Sequence, residues 1–187
     1  MLRLFTGSMC GGKTGALLED YRRHTLAGDA CMLIKHDSDS RFSNENVHTH
    51  DGQKAQAHQA TTLDSVLTLM RRHKFVYIDE IQFFPDVHLL EDLVHHGIIV
   101  TCAGLLTQFT GVVFPVMHKN ISIWDNIKFF NGVCFRCKSL YASRTVRRTP
   151  VKEGESMVGG TETYMPVCHA CHLKWLALNV SLNLESE

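Results

Sequence analysis

The chain lacks the features that mark membrane-spanning, secreted and broadly nucleic-acid-binding proteins. None of its apolar runs approaches the about 18 residues of a membrane span. Lysine plus arginine and aspartate plus glutamate number 19 each, so there is no diffuse positive charge to neutralise nucleic-acid phosphates. The first apolar strand pattern begins at Leu2, which leaves no space for a leader peptide. We therefore expect a cytoplasmic protein with neither membrane nor nucleic-acid partners.

Cysteine is not scarce, but its number and spacing argue against a secreted disulfide framework. There are seven cysteines, an odd number. Four of them form two C-x-x-C pairs: Cys134, Cys137, Cys168 and Cys171. Such pairs suit tetrahedral zinc, and four thiolates leave no open position, so we predict a structural zinc site. A redox role needs only one pair, and His169 and His172 are alternative ligands that a four-cysteine site does not require.

An eight-residue pattern near the N-terminus predicts a phosphate-binding loop. It has the form G-x-x-x-x-G-K-S/T and consists of Gly7, Ser8, Met9, Cys10, Gly11, Gly12, Lys13 and Thr14. A predicted strand precedes it, and a helix is predicted from Lys13 to Ala27 with Gly28 as its C-terminal cap. Successive backbone N–H groups and the helix dipole would then converge on a polyphosphate. The alternative is an accidental glycine-rich turn, and the strand and helix context argues against it.

Two adjacent carboxylates close a second buried strand pattern, at residues 75–78. In parallel sheets, ligands collect beyond the carboxyl ends of the strands, and Asp79 and Glu80 lie at such an end. Neighbouring strand residues point to opposite sides, so one carboxylate can serve a metal while the other accepts a proton. Lys13 would reach the β- and γ-phosphates of ATP or GTP, and Thr14 would ligate Mg²⁺. A solvated acidic turn is the alternative interpretation of Asp79 and Glu80.

The order of apolar patterns predicts an α/β fold. Strands at 2–6, 31–35, 75–78 and 98–103 alternate with helices at 13–27, 62–73 and 85–97, which favours a mostly parallel sheet covered on both faces. Residues 36–60 show no sustained period and are predicted to be a long loop. We predict a nucleotide-binding domain at 1–130, a smaller cysteine-bearing lobe without a clear helix at 131–175, and a tail at 176–187.

Several short strings in this order resemble the cytosolic, type II class of thymidine kinases. They are G-x-M-x-x-G-K-T at the N-terminus, D-x-R at 39–41, T-H-D at 49–51, D-E-x-Q-F-F at 79–84, and the two cysteine pairs with V-G-G-x-x-x-Y between them. The resemblance spans residues 2–175. It implies a P-loop kinase with a zinc-bearing lasso lobe that transfers the ATP γ-phosphate to the 5′-hydroxyl of thymidine. It further implies Mg²⁺, a role in nucleotide salvage for DNA synthesis, and a homotetramer.

The resemblance also assigns roles to individual positions. Glu80 matches the catalytic base, and Asp79 matches the metal-side carboxylate. Further nucleotide-binding positions are Asp39, Ser40, Arg41 and Gln82. Positions around the base are Met9, Leu105, Phe109 and Tyr164, and the lasso that closes over the nucleoside is Glu155, Ser156, Met157, Val158 and Gly159.

Two departures from the family pattern bear on base specificity. Gly104 to Leu106 lacks the aspartate of the usual G-L-D string, and Thr110 stands where a glutamine, arginine or lysine often follows the stacking aromatic. Ser143 is the nearest match for the threonine that completes the methyl pocket. The breadth of nucleoside specificity therefore stays open.

A second class of function remains compatible with the motifs: a zinc-knuckle ATPase that binds a nucleic-acid strand. It would need a basic groove, and the basic cluster after residue 140 is Arg144, Arg147 and Arg148. An ATPase assay with and without a single strand distinguishes this class from a nucleoside kinase.

Overall fold

The computed structural model describes residues 1–38, 46–48, 54–148, 160 and 162–184. The strands are β1 (Leu2–Gly7), β2 (Cys31–His36), β3 (Asn46–His48), β4 (Lys54–Gln56), β5 (His58–Ala60), β6 (Phe75–Asp79), β7 (Ile99–Ala103), β8 (Asn126–Phe130), β9 (Arg144–Arg147) and β10 (Tyr164–Val167). The helices are α1 (Lys13–Leu26), α2 (Leu67–Met70), α3 (Leu90–His95), α4 (Pro115–Lys119) and α5 (His169–Leu184). Within these ranges, no helix is both long and apolar enough to cross a membrane.

Six strands form one sheet in the order β5-β2-β6-β7-β1-β8. Every neighbouring pair in it is parallel. Because parallel strands need crossover connections, the chain passes over the sheet between them, and this confirms the predicted α/β fold with a parallel sheet. The same alignment brings the carboxyl ends of β1, β6 and β7 to one edge, where ligands bind in such sheets.

The sheet is buried on both faces. In β6, Val76 and Ile78 belong to one apolar cluster, while Phe75 and Tyr77 belong to the other. This alternation follows from the two-residue period of a strand. The second cluster also contains Leu17 of α1, so this helix covers the face to which Phe75 and Tyr77 point.

Helix α1 follows its sequence prediction closely. It begins at Lys13, directly after Gly12, whose φ of 90° is left-handed. It ends before Gly28, whose φ of 83° is the conformation that commonly terminates helices. The helix and the glycine turn in front of it were therefore both recognisable from glycine and apolar spacing.

The other predicted helices are shorter than expected. Where one helix was predicted over 62–73, a 3₁₀ turn at Asp64–Val66 precedes α2, and over 85–97 a 3₁₀ turn at Val87–Leu89 precedes α3. A tertiary contact explains the first case. The carboxylate of Asp86 accepts hydrogen bonds from the backbone N–H groups of Leu63 and Asp64, at 3.0 and 2.9 Å. This contact holds the start of the segment in a tight turn.

A long loop was predicted at 36–60, and this prediction was wrong for the residues of that range that the structure describes. Strand β5 joins the main sheet beside β2, and β3 pairs with β4 in an antiparallel ladder. Each of these strands has three residues, too few to show a period of two. Strand β8 was also not predicted, because as an edge strand it is largely exposed and carries no continuous apolar pattern.

The cysteine-bearing lobe contains a two-stranded antiparallel sheet of β9 and β10, followed by α5. The expectation that it has no clear helix was wrong, and most of the predicted tail continues α5. Helix α5 begins at His169, between Cys168 and Cys171, so the first turn shows the C-x-x-C spacing in place of a clear helical pattern of apolar residues. The boundary predicted between residues 175 and 176 falls within α5; the division into domains stays a prediction.

We expect the packing of α1 to contribute strongly to stability. Leu17 is fully buried against the sheet, whereas Leu26 on the same helix is 73% exposed. Replacing Leu17 with alanine should lower the free energy of unfolding by about 2–5 kcal/mol, because the cavity left behind adds to the lost burial. Leu26→Ala is the matched control and should stay within about 0.5 kcal/mol of wild type in urea unfolding. Equal effects of the two substitutions would contradict this packing.

Candidate active site and cysteine cluster

The loop between β1 and α1 has the backbone of a phosphate cradle. Gly7, Cys10 and Gly12 all have positive φ, at 136°, 55° and 90°. Lys13 is 9% exposed and folds back over the loop, where its Nζ donates a hydrogen bond to the carbonyl of Ser8 at 2.7 Å. This hydrogen bond holds the lysine against its own loop.

Two glycines in this loop are required by its contact with β8. A Cβ at Gly7 would collide with the carbonyl oxygen of Phe130, and one at Gly11 would lie 2.7 Å from the same oxygen. The Phe130 end of β8 therefore packs directly under the loop. Cys10, one of the loop residues, is exposed and has a left-handed backbone.

Thr14 and Asp79 meet beside the loop. The Thr14 hydroxyl donates to the Asp79 carboxylate, with oxygens 3.2 and 3.3 Å apart. Asp79 is 5% exposed, and the register of β2 and β6 places Lys35, also buried, beside it on the neighbouring strand. A hydroxyl and a carboxylate at the end of a phosphate loop are the donor set for Mg²⁺ in P-loop enzymes, so these residues fit that ion.

Glu80 leaves the end of β6 with a left-handed backbone, φ 54° and ψ 45°. This turn directs the half-buried Glu80 away from the strand. Gln82 Nε2 donates to a Glu80 carboxylate oxygen at 2.6 Å, and Gln82 Oε1 accepts a hydrogen bond from the Leu105 backbone N–H at 2.9 Å. Gln82, expected from the resemblance to bind nucleotide, connects Glu80 to the start of the loop that follows β7; its predicted role in nucleotide binding stays a prediction.

Two of the described positions around the predicted base site, Phe109 and Tyr164, approach each other. The rings of Phe109 and Tyr164 have centroids 6.2 Å apart. Met9 is buried, and its backbone N–H donates to the hydroxyl of Thr145 at 3.1 Å. The structure thus brings Thr145 to Met9, and Ser143 lines a cavity of about 270 Å³ together with Gly7 and Leu106.

Part of the predicted site lies outside the described residues. This applies to Asp39, Ser40 and Arg41, to the T-H-D string at 49–51, and to the lasso: Glu155, Ser156, Met157, Val158 and Gly159. Their predicted roles stay predictions.

The structure also brings residues to the site that were not predicted there. His172, buried after the last cysteine, forms a hydrogen bond with the Phe109 carbonyl, and Trp175 packs edge-on against the Phe109 ring. Neither contact has a local sequence signal, because each joins residues from distant parts of the chain. Of the arginine cluster, Arg147 is buried with its guanidinium over Tyr164, so this arginine does not contribute to an open basic groove.

The four cysteines of the two C-x-x-C pairs converge. Their sulfur atoms all lie within 4.8 Å of one another, and Cys137 and Cys168 sulfurs are 3.6 Å apart. Tetrahedral zinc with Zn–S bonds of about 2.3 Å sets its sulfurs about 3.8 Å apart, so the cluster fits this ion with small adjustments. In the described part of the chain, the cluster needs no histidine.

Local hydrogen bonding prepares one of these thiols to ionise. Burial opposes ionisation of Cys134, but backbone N–H groups of Cys137 and Cys168 lower its pKa to about 6. The pKa of Cys171 is raised to about 12, mainly by a hydrogen bond with the Cys168 side chain and, second, by burial. Ionising all four thiols without a cation is therefore unfavourable, whereas a bound divalent cation would stabilise all four thiolates.

Comparisons with known proteins identify the family. The family model described as thymidine kinase matches residues 1–172. The cytosolic thymidine kinase of Gallus gallus is 32% identical over 174 residues, which cover 92% of this chain and 77% of the relative. Thymidine kinase of Thermococcus kodakarensis is 32% identical over 184 residues, covering 92% and 93%. That of Mycoplasma mobile is 29% identical over 177 residues, covering 93% and 88%. The chain therefore belongs to the thymidine kinase family.

Proposed function

We propose that this protein transfers the γ-phosphate of ATP to the 5′-hydroxyl of thymidine, giving ADP and thymidine monophosphate for DNA synthesis. Membership of the thymidine kinase family supports the reaction. The observation that carries it is the pair of hydrogen bonds made by Gln82, which joins Glu80 to Leu105. A proton acceptor and the base-binding loop are thereby held at the same sheet edge as the phosphate loop.

The residues from Gly7 to Thr14 would bind ATP, the phosphate donor. Phosphoryl transfer passes through a loose transition state in which negative charge spreads over the transferred group, so catalysis depends on positioning and electrostatic stabilisation. Loop N–H groups and Lys13 would bind the β- and γ-phosphates. Thr14 and Asp79 would hold Mg²⁺, which supplies further charge neutralisation when bound.

The acceptor side rests on Glu80. Its carboxylate would accept the proton of the thymidine 5′-hydroxyl as the hydroxyl oxygen attacks the γ-phosphorus and the bond to the β-phosphate oxygen breaks. Gln82 donates a hydrogen bond to one oxygen of this carboxylate and thereby orients the group. Phe109 would stack on the thymine, while Met9, Leu105 and Tyr164 would surround its methyl group.

We further propose that the four cysteines hold a structural zinc ion. Cys134 lies next to the β10 segment through the hydrogen bond from Phe135 N–H to the Pro166 carbonyl, and Cys171 lies in the first turn of α5. A metal at this point would fasten the two ends of the lasso lobe together. The name of the Gallus gallus relative supports a cytosolic location, and the family resemblance supports a homotetramer.

Replacing Glu80 with glutamine should lower kcat by about 10²–10⁴-fold, because the amide keeps the size but cannot accept the proton. The KM for ATP should remain close to wild type, since Glu80 lies on the acceptor side. Steady-state kinetics with thymidine, ATP and Mg²⁺ measure both. The exposed Glu91→Gln variant is the control and should keep full activity. Near-normal turnover in Glu80→Gln would remove Glu80 from the role of base.

Protein purified without chelator should contain one zinc ion per chain by elemental analysis. Cys137→Ser should lose this zinc and unfold the lobe at a lower temperature, because metal binding is coupled to folding in such sites. Cys31→Ser changes a cysteine outside the cluster and should retain the metal. Zinc-free wild-type protein would refute the site.

Thymidine should be preferred to deoxyuridine by about 10–200-fold in kcat/KM, the range for one methyl group in an apolar pocket. Deoxycytidine should be a still poorer substrate, because it presents a donor where thymine presents an acceptor. Leu105→Ala should lower the ratio of kcat/KM for thymidine to kcat/KM for deoxyuridine. Leu140 is 70% exposed, and Leu140→Ala should leave this ratio unchanged. Equal kcat/KM for thymidine and deoxycytidine would indicate a broad deoxynucleoside kinase.

A further inference from the structure

His172 joins the cysteine cluster to the predicted base site. It is 3% exposed and follows Cys171 in the first turn of α5. Its Nε2 lies 2.8 Å from the carbonyl oxygen of Phe109, a residue 63 positions away in the chain. Because a carbonyl oxygen only accepts hydrogen bonds, Nε2 carries a proton and donates it.

The turn from Gln108 to Gly111, called the Phe109 loop below, packs against His172. Gly111 has φ of 87°, and a Cβ there would lie 3.1 Å from Cε1 of His172. The Gly111 backbone N–H bonds the Gln108 carbonyl at 3.0 Å, which closes a turn over Phe109. The turn therefore lies directly against the imidazole, and a larger residue at 111 would push the two apart.

Aromatic packing extends the same contact to the Phe109 ring. Trp175, one turn along α5, is nearly parallel to the imidazole of His172, with centroids 6.4 Å apart and planes 13° apart. The indole meets the Phe109 ring edge-on at 6.1 Å, and Phe109 meets Tyr164 at 6.2 Å. The backbone of Phe109 is thus held by His172 while its ring is held by Trp175 and Tyr164.

We propose that His172 is a positioning residue for the nucleoside: it fixes the Phe109 loop in the conformation that binds thymine. The inference rests on the proposed function, in which Phe109 stacks on the base. A loop that is ordered before binding loses less conformational freedom when the ligand binds. The hydrogen bond from His172 would therefore favour thymidine binding, although His172 itself does not contact the nucleoside. Because Cys171 and His172 are adjacent, a zinc-anchored α5 would provide the rigid support.

A buried histidine that merely fills the core would affect stability alone. A positioning histidine, in contrast, would affect the binding of one substrate, thymidine. Loss of the hydrogen bond should raise the thymidine KM and leave kcat and the KM for ATP unchanged, since the phosphate loop and Glu80 belong to other parts of the site.

His172→Phe, which keeps an aromatic ring and removes the donor, should raise the thymidine KM by about 3- to 30-fold. The thymidine Kd, measured by titration calorimetry without ATP, should rise by the same factor. His172→Gln should recover most of the affinity, because its Nε2 can occupy the position of the imidazole Nε2. His172→Asn, with the shorter amide, should behave like the phenylalanine variant.

His169→Phe is the matched control. His169 is exposed, lies in the same helix and also adjoins a cysteine, Cys168, so its replacement should leave thymidine KM and zinc content unchanged. Zinc content and melting temperature are measured for every variant. If His172→Phe loses zinc or does not fold, the comparison of His172→Gln with His172→Asn decides.

Two results would overturn the inference: a folded His172→Phe with wild-type thymidine KM and Kd, or glutamine and asparagine variants with equal thymidine affinity. A parallel rise in the KM for ATP would also contradict it, since that result indicates general disruption. Failure of wild-type protein to phosphorylate thymidine would instead contradict the proposed function, so the two failures remain distinguishable.

Discussion

The parallel pairing of β6, β7 and β1 is the constraint on which the site depends. These strands end at one edge of the sheet, and each end continues into a functional segment: Gly7 into the phosphate loop, Asp79 into Glu80, and Ala103 into the loop that carries Leu105 and Phe109. Backbone hydrogen bonds between the strands therefore set the spacing of these three segments. Gln82, buried between two of these segments, then fixes their fine alignment.

The parts of this arrangement that could be predicted are those with local signals. Gly12, Lys13 and Gly28 mark the start and end of α1, and the apolar run before Asp79 marks a buried strand. The two C-x-x-C pairs predict the convergence of four cysteines, because tetrahedral metal coordination favours that spacing. By contrast, three-residue strands such as β5 carry no readable period, and the edge strand β8 is too exposed to show an apolar pattern. Their structure comes from pairing with the sheet.

The base side of the site was less predictable for a related reason. Thr145 contacts Met9 across 136 positions of the chain, and His172 contacts Phe109 across 63. Such contacts depend on how the cysteine-bearing lobe folds against the sheet, which neither residue type nor spacing reveals. The resemblance to a family indicated the substrate and matched Ser143 to the methyl pocket, but it gave no indication of the contact between Thr145 and Met9.

The position of β1 in the sheet also constrains how the protein folds during synthesis. Although β1 leaves the ribosome first, both of its neighbours, β7 and β8, come from residues 99–130. The phosphate loop therefore cannot acquire its final backbone until Phe130 has been made, because the carbonyl of Phe130 lies beneath Gly7 and Gly11. Long-range parallel pairing of this kind is slow, and an unpaired apolar β1 is exposed to aggregation in the meantime. The nucleotide site is thus encoded first and completed late.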